Sequence, residues 1–557
     1  MYRKLFRTVN NKHMKKNYIL FFTLLVFGWN DLYSQTNRYW IQFTDKTNTP
    51  YSTSNPNQFL STRSILRRTN QNIPVTINDL PIDPAYIDSI KKIPGVSVYN
   101  RSKWFNAITI SADTNAMKII KTISFVNNTE QVKRYYRETS VEKERAVQTT
   151  LLRNNSTSSV YNYGPSFNQI DMLGGVCLHD KGYDGKGMVI AVMDAGFYGV
   201  DTARAYDSLR VNHQILGTWD FVDSDSTVYA EHTHGAFVLS TLGGNLPGVI
   251  VGTAPKAQYW LLRTEDGATE YVIEEDNWVS AAEFADSVGA DIFSTSLGYT
   301  EFDNASQNHT YADMDGNTAR ISIATDIAAS KGILPVCSAG NSGGTAWNFI
   351  GAPADADSVL AVGAVDSLGK YALFSSQGPS FDGRVKPNVV AQGQDAVVTN
   401  FNAGIFYVNG TSFSCPITAG LVACLWQAHP TLTNMQILNA IEQTASQYEK
   451  PDSLLGHGVS NFCAAHDSLV SENKVVDMFE VFPNPSSGKV YLKIKGIQNL
   501  NIKNIDVYNA LGSIVSSMKI SGLVSDYVVN LSSRPKGVYF IKINSDKGST
   551  VKKVILD

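Results

Sequence analysis

The stretch GMVIAVMDAG, Gly187 to Gly196, decides the fold. Every residue from Met188 to Met193 is apolar, so neither face of the segment meets water. So short a run, closed by a turn signal, reads as a strand in a covered sheet rather than a core helix. It ends on Asp194, and the small pair Ala195-Gly196 lets the chain turn tightly. The same texture repeats downstream in AFVLSTL, QYWLLRT, NWVSAAEFADSVG, DIFSTSLG, IATDIAASKG and ILPVCSAG. Short apolar strands alternating with helical stretches over residues 160–470 predict an α/β domain, a mainly parallel sheet flanked by helices. Functional residues of such sheets collect at the carboxyl ends of strands. Asp194 sits at one, although an Asp there is more often a cap or turn residue than a catalyst.

The 557 residues are enough for three domains. A net charge of -3, with no long basic run beyond the extreme N-terminus, argues against nucleic-acid binding. Lys15 and Lys16 precede the apolar run YILFFTLLVFGW, Tyr18 to Trp29. That run is too short to span a bilayer but suits the core of a signal peptide over residues 1–34, with Ser34 last before cleavage. Five cysteines, Cys177, Cys337, Cys415, Cys424 and Cys463, allow at most two internal bridges and match no metal-site spacing. Most are expected to be small buried apolar residues.

Residues 35–135 read strand-helix-strand-strand-helix-strand: YWIQFTDK, DPAYIDSIKKI, VSVYN, WFNAITISA, TNAMKIIKTI and FVNNTEQVKRY. That order is a split βαβ, an α+β domain. Residues 136–159, with RETSVEKER and RNNSTSS, lack a core pattern and read as a linker. From residue 475 to 557 the strands KVYLKIKG, NIDVYNALG, DYVVNL, GVYFIKIN and TVKKVILD are separated by Gly, Asn and Pro, a small β-sandwich with no evident aromatic platform.

Three further stretches carry chemistry. EHTHGAFVLSTLGG, Glu231 to Gly244, holds His232 and His234. Side chains two apart do not share a helix face, so only one can act as base there. The small Gly235-Ala236 after His234 leaves room for another chain and favours His234. VNGTSFSCPITAGLVACLW places Ser412 at the start of an apolar helix, where free N–H groups and the dipole favour an oxyanion. In ILPVCSAGNSGG, Asn341 follows a strand end and could donate to the same oxyanion. Alone, Ser412 reads as a cap and Asn341 as a turn residue. Together, Asp194, His234 and Ser412 follow the chain order Asp…His…Ser of a known triad class.

On these motifs the domain resembles the subtilases, the subtilisin-like serine peptidases. AVMDAG, HGAFVLST, SAGNSG and NGTSFSCP carry the likeness, with support from GTAPKAQYWLLRT, DIFSTSLG, VLAVGAVDS and FSSQGP. One departure is Phe237, where the family has a second histidine in His-Gly-Thr-His. The resemblance implies that Asp194 orients His234, that His234 takes the Ser412 proton, and that Ser412 forms an acyl-enzyme. The Asn341 amide and the Ser412 N–H would hold the oxyanion. Ser296-Leu297-Gly298 would run beside the substrate backbone, and Ser338-Ala339-Gly340 would wall the primary specificity pocket. No cofactor is implied for the chemistry. Structural calcium, frequent in the family, is assigned to no residue. DMDGN at Asp313 to Asn317 lacks the bidentate Glu of a calcium loop and reads as a plain turn. The acids Glu265, Asp266, Glu270, Glu274, Glu275 and Asp276 read first as a solvated face, and second as a preference for basic substrates.

By the same resemblance the N-terminal domain is similar to subtilase propeptides. The C-terminal sandwich, through FPNPSSG, IDVYNALG, GVYFIKI and KKVILD, is similar to type IX secretion sorting domains. The implied partners are polypeptide substrates, the chain's own propeptide and the type IX machinery, and the implied location is outside the cell or on its outer surface. The rivals are an inactive subtilase-like adhesin or binding protein, and an esterase. The esterase lacks its Gly-x-Ser-x-Gly elbow around Ser412.

Overall fold

The structure, a computed structural model, describes residues 37–134, 159–400, 402–477, 479–494, 502–520, 526–545 and 548–557. The signal-peptide segment 1–34 and nearly all of the 136–159 linker lie outside the described residues.

The central sheet has seven strands, all parallel, in the order Val389–Gln392, Leu360–Val365, Leu334–Ser338, Ile292–Thr295, Val189–Asp194, Gln258–Arg263, Ile215–Asp220. The Asp194 strand is buried along its whole length, as its sequence requires. Ile190 and Val192 face a core shared with the helices His234–Gly243 and Thr411–Ala428, through Val238, Leu239, Ile417 and Leu421. Val189, Ala191 and Met193 face the other way, onto Trp278, Val279 and Ala282 of helix Ile273–Val288. The chain moves outward to one side after the Asp194 strand and to the other after Ile292–Thr295. These two strands are neighbours, so the switch point, and the crevice it opens, lies between Asp194 and Ser296.

The N-terminal domain is a four-stranded antiparallel sheet in the order Ser97–Ser102, Ala107–Ala112, Asn37–Phe43, Val126–Lys133. Helices Pro84–Lys91 and Thr114–Ile120 cover one face through Ile87, Ile90, Met117 and Ile120. Trp40, Trp104 and Val132 join the core around Trp278 instead. This explains why Ala107–Ala112 is buried at every position although a two-layer domain would expose half of it. The structure adds one helix to the expected order, Thr62–Asn70, capped by Ser61. Its arginines are its function here. Arg67 and Arg68 both reach the buried Asp286 of helix Ile273–Val288.

The C-terminal sandwich packs a three-stranded sheet against a four-stranded one around Val490, Leu492, Ile505, Val507, Val529 and Ile541. Its outer face carries one stacked aromatic pair, Phe482 on Tyr491, that the strand pattern did not reveal. Helix Phe462–Asp477 leads into it, so helical structure persists past residue 475. The helix is tied back to the central domain by a disulfide, Cys177–Cys463, while Cys337, Cys415 and Cys424 are free and buried. No described helix is long and apolar enough to cross a membrane.

Asp313 and Asp315 spend their oxygens on Thr310, Asn317 and Thr318, as a local turn would. The acidic stretch is not a solvated face: Glu265, Glu274, Glu275 and Asp276 are buried. The N-terminal domain and the loop around Tyr299 cover that end of helix Ile273–Val288, which the charge pattern alone does not reveal.

Candidate functional site

The end of the Asp194 strand and the start of the His234 helix meet because two glycines stand between them. A Cβ on Gly235 would lie 2.4 Å from the Gly196 carbonyl oxygen and 3.0 Å from Asp194 Cβ. Asp194 is fully buried, and His234 is 8% exposed. Asp194 Oδ1 accepts from His234 Nδ1 at 2.8 Å and from the Ala195 N–H at 2.8 Å. A carboxylate only accepts, so Nδ1 carries a proton, and in the neutral ring Nε2 keeps its lone pair.

Ser412 is the second residue of helix Thr411–Ala428. Four residues on, Pro416 has no N–H, so the Ser412 carbonyl loses its helical partner. Ser296 Oγ supplies one, donating to that carbonyl at 2.8 Å, while Ser412 Oγ donates to the Ser296 carbonyl at 3.3 Å. The pair locks the helix start to the end of strand Ile292–Thr295. Asn341 is bound to the same helix start: its Oδ1 accepts from Thr411 N at 2.9 Å and Thr411 Oγ1 at 3.0 Å. Thr411 Oγ1 in turn accepts the Gly340 N–H at 3.2 Å. With Oδ1 engaged, the Nδ2 half of the amide is the half left to donate. Ser338 Oγ donates to the Leu297 carbonyl at 3.3 Å, so segments 296–298 and 338–340 lie side by side. Gly340 has φ +108, and a Cβ there would meet Ser376 Oγ at 2.7 Å. All the residues singled out from sequence thus fall at one edge of the sheet. From sequence, Gly410 and Thr411 read only as small residues of the tight turn before Ser412; the bond by which Thr411 fixes Asn341 appears only in the structure.

Beside the crevice, the carboxylates of Glu265, Glu270 and Glu274 converge to within 4.8 Å of one another. Among the described residues they are the one group that could hold a cation. Burial, and then the charge of Glu270, pushes the Glu265 carboxyl up to about 8; burial and Glu265 raise Glu274 likewise. Tyr299 Oη donates to Glu265. The next two acids have structural partners instead: His309 Nε2 with Glu275 at 2.7 Å, and Arg320 with Asp276.

Comparison with known proteins agrees with this architecture. Residues 185–458 match the subtilase family model, residues 38–149 the peptidase S8 propeptide domain of Bacteroidota, and residues 480–557 a secretion system C-terminal sorting domain. Subtilisin E of Bacillus subtilis (strain 168) is 32% identical over 295 residues, covering 52% of this chain and 68% of that protein. Subtilisin of Bacillus pumilus is 31% identical over 295 residues, covering 52% of this chain and 94% of that protein. A thermostable alkaline protease of Halalkalibacterium halodurans is 29% identical over 287 residues, covering 50% of this chain and 68% of that protein. The chain belongs to the subtilase family. It is a subtilisin-like serine endopeptidase with its own propeptide domain and a sorting domain that marks it for secretion and the cell surface or outer membrane.

Proposed function

We propose that the chain hydrolyses peptide bonds through Asp194, His234 and Ser412 by an acyl-enzyme. The observation that carries this reading is the buried 2.8 Å bond between Asp194 and His234 Nδ1, with the His234 ring 5.8 Å from the ring of Phe413, the neighbour of Ser412. Ser412 is the nucleophile. Its hydroxyl passes a proton to His234 Nε2 as Oγ attacks the carbonyl, and His234 returns that proton to the leaving amine. The oxyanion forms against the Asn341 Nδ2 amide and the Ser412 backbone N–H, one of the free donors of the helix start. Losing one such donor costs about 3–4 kcal/mol of transition-state stabilisation in related enzymes. Substrate lies along Ser296-Leu297-Gly298 as an added strand, with its side chain before the scissile bond against Ser338-Ala339-Gly340. The chemistry needs no cofactor. The N-terminal domain is the chain's own inhibitor before processing, and the type IX machinery is the partner of the C-terminal sandwich.

The test is Ser412→Ala in the expressed precursor, together with a fluorophosphonate label. Casein hydrolysis and any self-cleavage should both vanish, and the label should fall on Ser412 in processed wild type. Casein hydrolysis that survives the substitution would overturn the mechanism, and processed protein that refuses the label would favour a binding protein.

A further inference from the structure

His232 is the histidine that the triad leaves over. The His234 helix begins without a side-chain cap, since Thr233 at the N-cap position makes no capping bond. The first N–H groups of a helix have no partner inside it. His232 supplies one: its Nδ1 accepts the backbone N–H of His234 at 3.2 Å. A ring nitrogen accepts only when it carries no proton, so neutral His232 holds its proton on Nε2. The ring is exposed, with one edge turned towards Gly267. A Cβ on Gly267 would come within 3.2 Å of His232 Cδ2. The backbone at 232 is also fixed: its carbonyl accepts from Tyr198 N–H at 3.2 Å, and a Cβ on Gly196 would meet its nitrogen at 2.6 Å. One residue earlier, Glu231 lies 3.9 Å from Arg263, whose guanidinium is buried and paired with Asp220 and Asp223.

We propose that His232 is a positioning residue for the base: its Nδ1 caps the His234 N–H and fixes the backbone from which the His234 ring reaches Asp194. The proposal rests on His234 being the base. Asp194 on the ring nitrogen and His232 on the backbone nitrogen both help to orient that residue. Without the second, the helix start loosens, the ring shifts about its bond to Asp194 and Nε2 moves relative to Ser412. Misplacement of about 1 Å in a reacting group can cost about 100-fold in rate, and loosening one anchor costs part of that. The loss falls on kcat rather than KM, because no substrate contact is removed.

The experiment measures kcat, KM and Tm on a peptide amide substrate for processed wild type and for His232→Ala, His232→Asn, Gly267→Ala, the Gly267→Ala/His232→Ala double variant and His234→Ala. His232→Ala should lower kcat about tenfold with KM held within about twofold. His232→Asn, whose Oδ1 can accept the same N–H, should restore most of the loss. Gly267→Ala should lower kcat by displacing the ring, and should add nothing once the ring is gone. A wild-type kcat in His232→Ala would overturn the proposal. So would a loss carried by KM, or equal loss with lowered Tm in the Ala and Asn variants. His234→Ala separates the two levels: turnover surviving there overturns the triad, whereas its abolition beside a fully active His232→Ala overturns only the capping role.

Discussion

At the residue scale, Gly235 controls how closely His234 approaches Asp194. Its missing Cβ would stand 2.4 Å from a backbone oxygen and 2.9 Å from the Phe197 ring. Backbone atoms there cannot rotate away, so Gly235→Ala must shift the His234 helix off Asp194. We expect about a 100-fold fall in kcat with the far-UV circular dichroism of wild type, measured on a peptide amide. Glu265 is the second informative residue. Its folded carboxyl is raised by burial and by Glu270 to about 8, from an ordinary 4.5. A raised pKa means the folded state holds the proton more tightly, so this contribution is complete below the ordinary value and is lost as pH climbs through the folded one. Tm should therefore fall between pH 5 and pH 8, and Glu265→Gln, neutral at both, should raise Tm at pH 8 more than at pH 5. A variant as pH-sensitive as wild type would remove Glu265 as the cause. The meeting of Asp194 and His234 was legible because each sits in a short motif whose neighbours are small for a steric reason, as Gly235 and Gly196 show. The burial of Glu265 was not legible, because charge density says nothing about which surface another part of the chain covers.

At the scale of elements, helix Ile273–Val288 joins the central sheet to the N-terminal domain. One side packs on the sheet through Trp278, Val279 and Ala282. The other receives the propeptide domain through a row of acceptors. Asn277 Oδ1 takes Asn100, and Glu283 takes the Ser102 hydroxyl and the N–H groups of Lys103 and Trp104. Asp286 takes Arg67, Arg68 and Lys103. Burial by itself would raise the Asp286 carboxyl, but Lys103, Arg68 and Arg67 outweigh it and hold it far below the usual range. Asp286→Asn would leave two buried guanidinium groups short of their counter-charge, a loss of about 3–5 kcal/mol. With the propeptide domain supplied as a separate chain, its inhibition constant should rise roughly 100- to 4,000-fold in Asp286→Asn, while kcat/KM on a small peptide amide stays at wild type. Unchanged inhibition would mean that the apolar contacts of Trp40 and Trp104 carry the interface. The sequence showed the sheet of this domain but not the helix Thr62–Asn70 that supplies the arginines. STRSILRRTN is amphipathic, but its buried face is the charged one, Arg67 and Arg68, while Leu66 is exposed, so a search for an apolar inward face passes over it.

At the scale of the whole molecule, the disulfide decides what belongs to the peptidase body and what can leave it. Cys177 stands near the start of that body and Cys463 at the head of helix Phe462–Asp477, with a sequence separation of 286. Closing so long a loop restricts the unfolded chain by about 5–6 kcal/mol in the chain-entropy picture. The first turns of the helix also belong to the body: Phe462, Ala465 and Leu469 are buried in the same core as Ile190 and Leu421. The sorting sandwich begins only beyond this helix, so its covalent release depends on which side of Cys463 the chain is cut. A cut after Asp477 frees the sandwich at once. A cut before Phe462 leaves it held through Cys177, although the peptide chain is broken. Placing a specific protease site at either position in the Ser412→Ala precursor makes the difference visible. After cleavage, the downstream site should give two bands on a denaturing gel with or without reductant. The upstream site should give one band without reductant and two with it. Two bands from the upstream site without reductant would show that Cys177 and Cys463 are not joined in the exported protein, and that the helix is held by its apolar face alone.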